Sequence, residues 1–203
     1  MAANIVLVSR FPIEPGTVPS LRDLLNDDSK TRYLIDVEQQ EILQLRAYKD
    51  LENFADNITN LDNDWQRFSG VMVGDIRREL LQYVEAPKPT DSLLPDTDYI
   101  QLRHVEVLPQ RMQAYRRWRE ETIFDVVRRN DEVDTFLAYH SLISGQPGVM
   151  FIAGFSGDPA AYQQVFSSSR YKDIVQQAGT SYITGGNDGL YTRLYVRHQA
   201  VSA

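Results

Sequence analysis

Val149-Met150-Phe151-Ile152-Ala153-Gly154-Phe155 carries neither a charge nor a polar side chain. Its length, its β-branched and aromatic content and the turn residues around it read as a strand. A strand with one face in water alternates apolar and polar residues. This one is apolar at odd and even positions alike, so both faces of its sheet need cover. Asp158-Pro159 follows directly and fits a helix start, with Asp as N-cap and Pro at the first helical position. That helix covers one face. The other face needs a second layer.

Working outward, Tyr99 to Val107 reads as a strand, and Pro109 opens a helix whose stripe is Met112, Tyr115, Trp118, Ile123, Val126 and Val127. Phe136 to Ile143 is a second strand, joined to Val149–Phe155 by the turn Gly145-Gln146-Pro147-Gly148. The helix after Asp158 buries Tyr162, Val165, Phe166, Ile174 and Val175, with a break expected near Ser167-Ser168-Ser169. Leu190 to Arg197 closes the series. The order is β-α-β-β-α-β.

The first half repeats it. Ile5 to Phe11 is a strand, and Val18, Leu21, Leu24 and Leu25 form a short helical stripe. Tyr33 to Val37 and Ile42 to Tyr48 are strands. Asp50 caps a helix with Leu51, Phe54, Ile58, Leu61, Trp65 and Phe68 on one face, and Ile76 to Val84 is the last strand. Between the halves lies Ala86-Pro87-Lys88-Pro89-Thr90-Asp91-Ser92-Leu93-Leu94-Pro95-Asp96, too rich in proline for a helix or a central strand. The expected division is a first repeat at 1–86, a linker at 87–97 and a second repeat at 98–203. Local anchors align: Pro15 with Pro109, Asp50 with Asp158, Tyr83-Val84 with Tyr195-Val196, and Arg10 with His104. The chain reads as a tandem duplication.

Composition narrows the function classes. The 203 residues include no Cys, which removes disulfides, thiolate metal sites and cysteine nucleophiles. The net charge is −7 with no basic excess, which argues against nucleic acid and against an anionic membrane surface. No apolar run reaches the roughly 18 residues of a membrane span, and no basic-then-apolar leader is evident at Met1-Ala2-Ala3-Asn4, so a cytoplasmic location is expected.

The order of elements, the opening Tyr99-Ile100-Gln101-Leu102-Arg103, the strand running into Asp158-Pro159 and the closing Leu194-Tyr195-Val196 resemble the dimeric α/β-barrel superfamily. Antibiotic-biosynthesis monooxygenases, NIPSNAP, EthD-type and stress-responsive barrel proteins belong to it. The likeness is fuller over 98–198 than over 4–85. It implies an α+β fold of two ferredoxin-like β-α-β-β-α-β repeats, their antiparallel sheets packed face to face as an intramolecular α/β barrel. It also implies a small pocket between helices and sheet, used for cofactor-free oxygenation, isomerisation, haem chemistry or simple ligand binding.

Candidate site residues cluster in the second repeat. Alternation puts Ile100, Leu102 and His104 on one face of their strand, and an apolar face suits the helix side, which would bring His104 towards Tyr115 and Trp118. His104 suits a general base or a hydrogen-bond donor to a carbonyl; the plain alternative is a core histidine. His140 is a second candidate on the face of Phe136 and Ala138. Tyr115 and Trp118 are aromatic walls for a ligand or ordinary core. Arg103 binds an anionic group or pairs with an acid across the sheets. The arginines at 116, 117, 119, 128 and 129 read as a solvated helix face, and Gly185-Gly186-Asn187-Asp188-Gly189 as a turn. Three scattered His and no Cys make no dedicated metal site.

The leading expectation is a small-molecule enzyme resembling the cofactor-independent monooxygenases of that superfamily, acting on a small hydrophobic or aromatic molecule and needing no cofactor. The alternative is a non-catalytic ligand-binding or assembly protein on the same barrel. A haem-binding protein comes third, since haem needs a single axial His. A homodimer of pseudo-dimeric chains is a further expectation.

Overall fold

The computed structural model describes residues 1–21, 23–145 and 148–198. Among the described residues there are eight strands: β1 (Ile5–Pro12), β2 (Thr31–Asp36), β3 (Glu41–Tyr48), β4 (Arg77–Lys88), β5 (Tyr99–Val105), β6 (Thr135–Ile143), β7 (Val149–Phe155) and β8 (Leu190–Arg197). They form one closed antiparallel barrel in the order β1-β3-β2-β8-β5-β7-β6-β4. Each repeat contributes four adjacent strands, and two seams join the repeats. One is short, from Leu34↔Arg197 to Asp36↔Tyr195; the other runs from Leu80↔Ile143 to Lys88↔Phe136 with register shifts. Pro87 sits in β4 at one of those irregularities, where a residue without an N–H is tolerated.

β7 is buried along its whole length. Val149, Phe151, Ala153 and Phe155 pack under the helices, while Met150 and Ile152 face the barrel interior with Val6, Val8, Leu43, Leu81, Ile100 and Leu102. The second layer that the sequence demanded is therefore the inner face of the other repeat. Leu94, from the segment between the repeats, is fully buried at one end of the interior, and Tyr139 donates its hydroxyl to the Ala3 carbonyl there at 3.3 Å.

The helices are α1 (Leu51–Asp56), α2 (Leu61–Phe68), α3 (Met112–Glu121), α4 (Ile123–Arg128), α5 (Pro159–Val165) and α6 (Ser169–Ser181). Asp50 and Asp158 cap α1 and α5 as their spacing predicts. The long helix expected after Asp50 is broken by a 3-10 turn at Ile58–Asn60: the Asn57 side-chain amide donates to the Asn53 carbonyl and competes with the backbone. Its expected apolar stripe is split accordingly, with Phe68 buried but Leu51, Ile58 and Trp65 half exposed. In the first repeat the stripe at Val18 shrinks to one 3-10 turn, Val18–Leu21. The helix after Pro109 divides at Thr122, and the break at Ser167-Ser168 separates α5 from α6. Of the turn at 145–148, Gln146 and Pro147 lie outside the described residues. No helix among the described residues is long and apolar enough to cross a membrane.

Candidate functional site

A cavity of about 440 Å³ lies in the second repeat between the outer face of β5 and β8 and the helices α3, α5 and α6. Its position follows from alternation along β5: with Ile100 and Leu102 turned into the barrel, Gln101, Arg103 and Val105 face the helices. The break between α5 and α6 leaves Gln163 and Ser167 at its margin. Ile174, Val175 and Ile183 supply apolar wall.

Arg103 is the charged group of this wall. It is 8% exposed, its Nη1 donates to the Tyr171 hydroxyl at 2.9 Å, and its guanidinium lies 3.6 Å over the Phe166 ring. Its Nε has no hydrogen-bond partner. The expected pairing with an acid across the sheets is not found among the described residues, because the inward-facing acids are on the far side of the sheet. Arg103 is thus a buried cation balanced by aromatic faces and a hydroxyl, which favours an anionic guest. The aromatic support continues away from it: Tyr171 meets Phe166, Phe166 meets Tyr162, and Tyr162 stacks on Phe155 at 3.8 Å.

Tyr115 lines the cavity from α3, fully buried, with an unpartnered hydroxyl. Burial pushes that phenol well above its ordinary pKa, so it stays protonated and can donate. Trp118 does not reach the cavity. It stands behind Tyr115, 5.8 Å between ring centroids, and packs on Tyr182 at 5.1 Å.

His104 lies on β5, which floors the cavity, but its ring turns into the barrel rather than towards Tyr115 and Trp118. Both faces of β5 are buried, so apolarity alone could not choose between them. Inside, His104 Nε2 lies 3.2 and 3.3 Å from the two oxygens of Glu79, whose Oε1 also accepts from Arg10 Nη2 at 3.0 Å. The His104 ring stacks on Tyr191 at 4.4 Å, and Tyr191 also borders the cavity. His140 is on the outer face of β6 with Phe136 and Ala138 but sits exposed, outside the cavity wall. Partial burial and the charges of Arg119 and Arg116 hold its pKa below the ordinary value. Arg119 departs from the expected solvated helix face: it is buried, bonded to Glu85, with its guanidinium over Tyr115, Phe124 and Phe151.

Glu79, Tyr171 and Tyr191 were not legible as site residues. Glu79 leaves one trace, a lone acid beside the apolar pair Leu80-Leu81 in a strand with two buried faces. Tyr171 leaves none, since its role depends on how α6 is laid over β5.

The three histidines do not fit a histidine-ligated haem in this cavity: His104 is engaged inside the barrel, His140 is outside the wall, and His198 borders a separate depression with Arg197. Among the described residues no group of three or more His, Asp or Glu is arranged to hold a metal ion.

No family model and no curated sequence matches the chain. Solved structures do. A candidate monooxygenase from Fusobacterium nucleatum superposes with TM-score 0.68 at 13% identity, covering 97% of this chain and 93% of that one. An anthrone oxidase-like protein gives TM-score 0.64 at 10% identity over 95% and 90% of the two chains. A haem-degrading enzyme from Listeria monocytogenes gives 0.55 at 6% identity over 95% and 99%. These likenesses establish the fold class: a ferredoxin-like α/β barrel of the kind found in monooxygenase-like proteins, closed here within one chain.

Proposed function

We propose that the protein is a small-molecule oxygenase that binds a planar, weakly acidic aromatic compound in the second-repeat cavity and oxidises it with O2 without a cofactor. The observation that carries this reading is Arg103, a buried guanidinium with no carboxylate partner at the wall of an otherwise largely apolar cavity. A cation in a low-dielectric wall lowers the pKa of a phenol or enol bound against it, and so populates the electron-rich anion that O2 attacks. Tyr115, held protonated, donates to the developing oxygen. A methylene flanked by two aryl rings would react as Ar2CH2 + O2 → Ar2C=O + H2O, its proton leaving first and both oxygen atoms accounted for. The anthrone oxidase-like and monooxygenase-like neighbours point to the same reaction class. Tyr171 and Phe166 position Arg103, and His104 positions Tyr191 from beneath.

The test is to incubate the protein with a hydroxyanthrone and follow O2 uptake and carbonyl formation. Turnover that falls at least tenfold in Arg103→Leu supports the proposal. Saturable quenching of Trp118 fluorescence without O2 uptake supports the second reading, a non-catalytic carrier. That reading is favoured by one feature: no carboxylate lines the cavity among the described residues, and the histidine of its lining, His104, has its Nε2 turned to Glu79 inside the barrel.

A further inference from the structure

The first repeat holds a second depression at a different place in its repeat, between the outer face of β2 and β3, its middle pair of strands in chain order, and the helices α1 and α2, with a volume of about 390 Å³. Its chemistry is the reverse of the apolar cavity. The rim carries Asn26, Asn53, Asn57 and Asn63, and the floor is Arg46, Tyr48 and Asp64.

The floor is short of negative charge. Asp64, 3% exposed, accepts from Arg46 at 2.8 Å and faces Arg78 at 3.7 Å. Arg67 also lines the depression, donating to the Tyr33 hydroxyl at 3.1 Å and to the Leu24 carbonyl. Two guanidiniums therefore share one buried carboxylate, and the third, Arg67, has no acid partner among the described residues. At the rim, Asp28 and Lys30 cancel each other. Three buried polar atoms of the floor have no hydrogen-bond partner: the donors Arg46 Nη1 and the hydroxyl of Tyr48, a residue only 5% exposed, and the acceptor Asp64 Oδ2, which suits a ligand hydroxyl. Burial raises the Tyr48 pKa, against the lowering effect of Arg46, so the hydroxyl keeps its proton and remains a donor. Unpaired buried donors beside an excess of positive charge are costly unless an acceptor arrives.

We infer that this first-repeat depression is a binding site for a small polyhydroxylated anion, of the sugar phosphate or sugar acid class, whose oxyanion accepts from Arg46 Nη1 and the Tyr48 hydroxyl while the asparagine rim meets its hydroxyls. Side-chain amides offer both donors and acceptors, as a run of hydroxyl groups requires. The site is independent of the second-repeat cavity: the two share no residue.

Isothermal titration of the full chain with glucose 6-phosphate, gluconate and glucose tests this. Saturable binding of either anion, weakened at least fivefold in Tyr48→Phe and at least tenfold in Arg46→Gln, is the expected result; whichever anion binds more tightly assigns the headgroup. Tyr48→Phe removes only an unpartnered hydroxyl, so it leaves the fold intact where Arg46→Gln, which strips a partner from Asp64, fails to fold. Absence of binding by both anions, equal binding by neutral glucose, or undiminished binding by Tyr48→Phe would each overturn the assignment.

Discussion

Arg10 and His104 occupy matching positions in the two repeats, and inside the barrel they bind the same carboxylate, that of Glu79. Tyr191, which the offset of Tyr83 to Tyr195 aligns with Glu79 in sequence, stacks on His104. The two pairs are not equivalent in register: His104 lies directly opposite Tyr191, whereas Arg10 lies opposite Arg77 and reaches Glu79 two residues along β4. Arg10 and Glu79 are each 1% exposed, so the carboxylate is what makes the buried guanidinium tolerable.

Removing that carboxylate strands a charge. Glu79→Leu is expected to lower the unfolding free energy by about 3–5 kcal/mol, measured by urea denaturation. The double variant Arg10→Met/Glu79→Leu should recover most of the loss, because it removes both charges. A single-variant loss under about 1 kcal/mol would show that solvent reaches the pair.

The two seams differ in length. The β2–β8 pairing spans only Leu34 to Asp36, whereas β4–β6 extends from Leu80 to Lys88. Local opening follows the weaker seam. Amides at the β2–β8 seam are expected to exchange hydrogen through a sub-global opening, earlier than those of β6 and β7. The seam is tied by side chains as well: the Tyr195 hydroxyl donates to Glu41 at 2.6 Å, and Arg193 donates to the same carboxylate. Tyr195→Phe should therefore speed exchange at β2–β8 without affecting β4–β6.

At Gly154, an added Cβ would meet the Thr97 and Thr135 hydroxyl oxygens at 2.6 and 2.7 Å. Gly154→Ala is expected to cost about 1–3 kcal/mol through overpacking, and Thr135→Ser, which keeps that oxygen, should not relieve it. The thermal melt reads both.

His140 provides a pH observable. Its folded pKa lies below the ordinary value, mainly from desolvation and then from Arg119 and Arg116. A depressed folded pKa means that the neutral form is favoured on folding. The contribution is present above the unfolded pKa of about 6.5 and is lost as pH falls through the folded value. An NMR titration of the His140 ring should give a midpoint below that of an unfolded peptide, and Arg116→Gln should move it upward.

The fold was legible because its signals were local and redundant. Asp50 and Asp158 announce helices directly, and the two-faced apolarity of Val149–Phe155 demands a second layer that only the other repeat can supply. The continuity of the helix after Asp50 was not legible, because one asparagine side chain bonding four residues back decides it. The site was only partly readable. Arg103 and Tyr115 were identifiable as residue types at suitable places, and the structure brings both to one cavity. The side on which His104 falls was not, since Ile100 and Leu102 look the same whether they face helices or barrel. Glu79, its partner, lies 25 residues earlier in the chain and meets it only through barrel closure.

Both seams of the barrel join strands of a single polypeptide. A barrel assembled from two chains opens on dilution, and its stability depends on the concentration of protomers. Here each edge strand finds its partner at the fixed effective concentration set by the connecting segment. Closure is accordingly a first-order event, and the integrity of the second-repeat cavity is indifferent to how much of the protein is present.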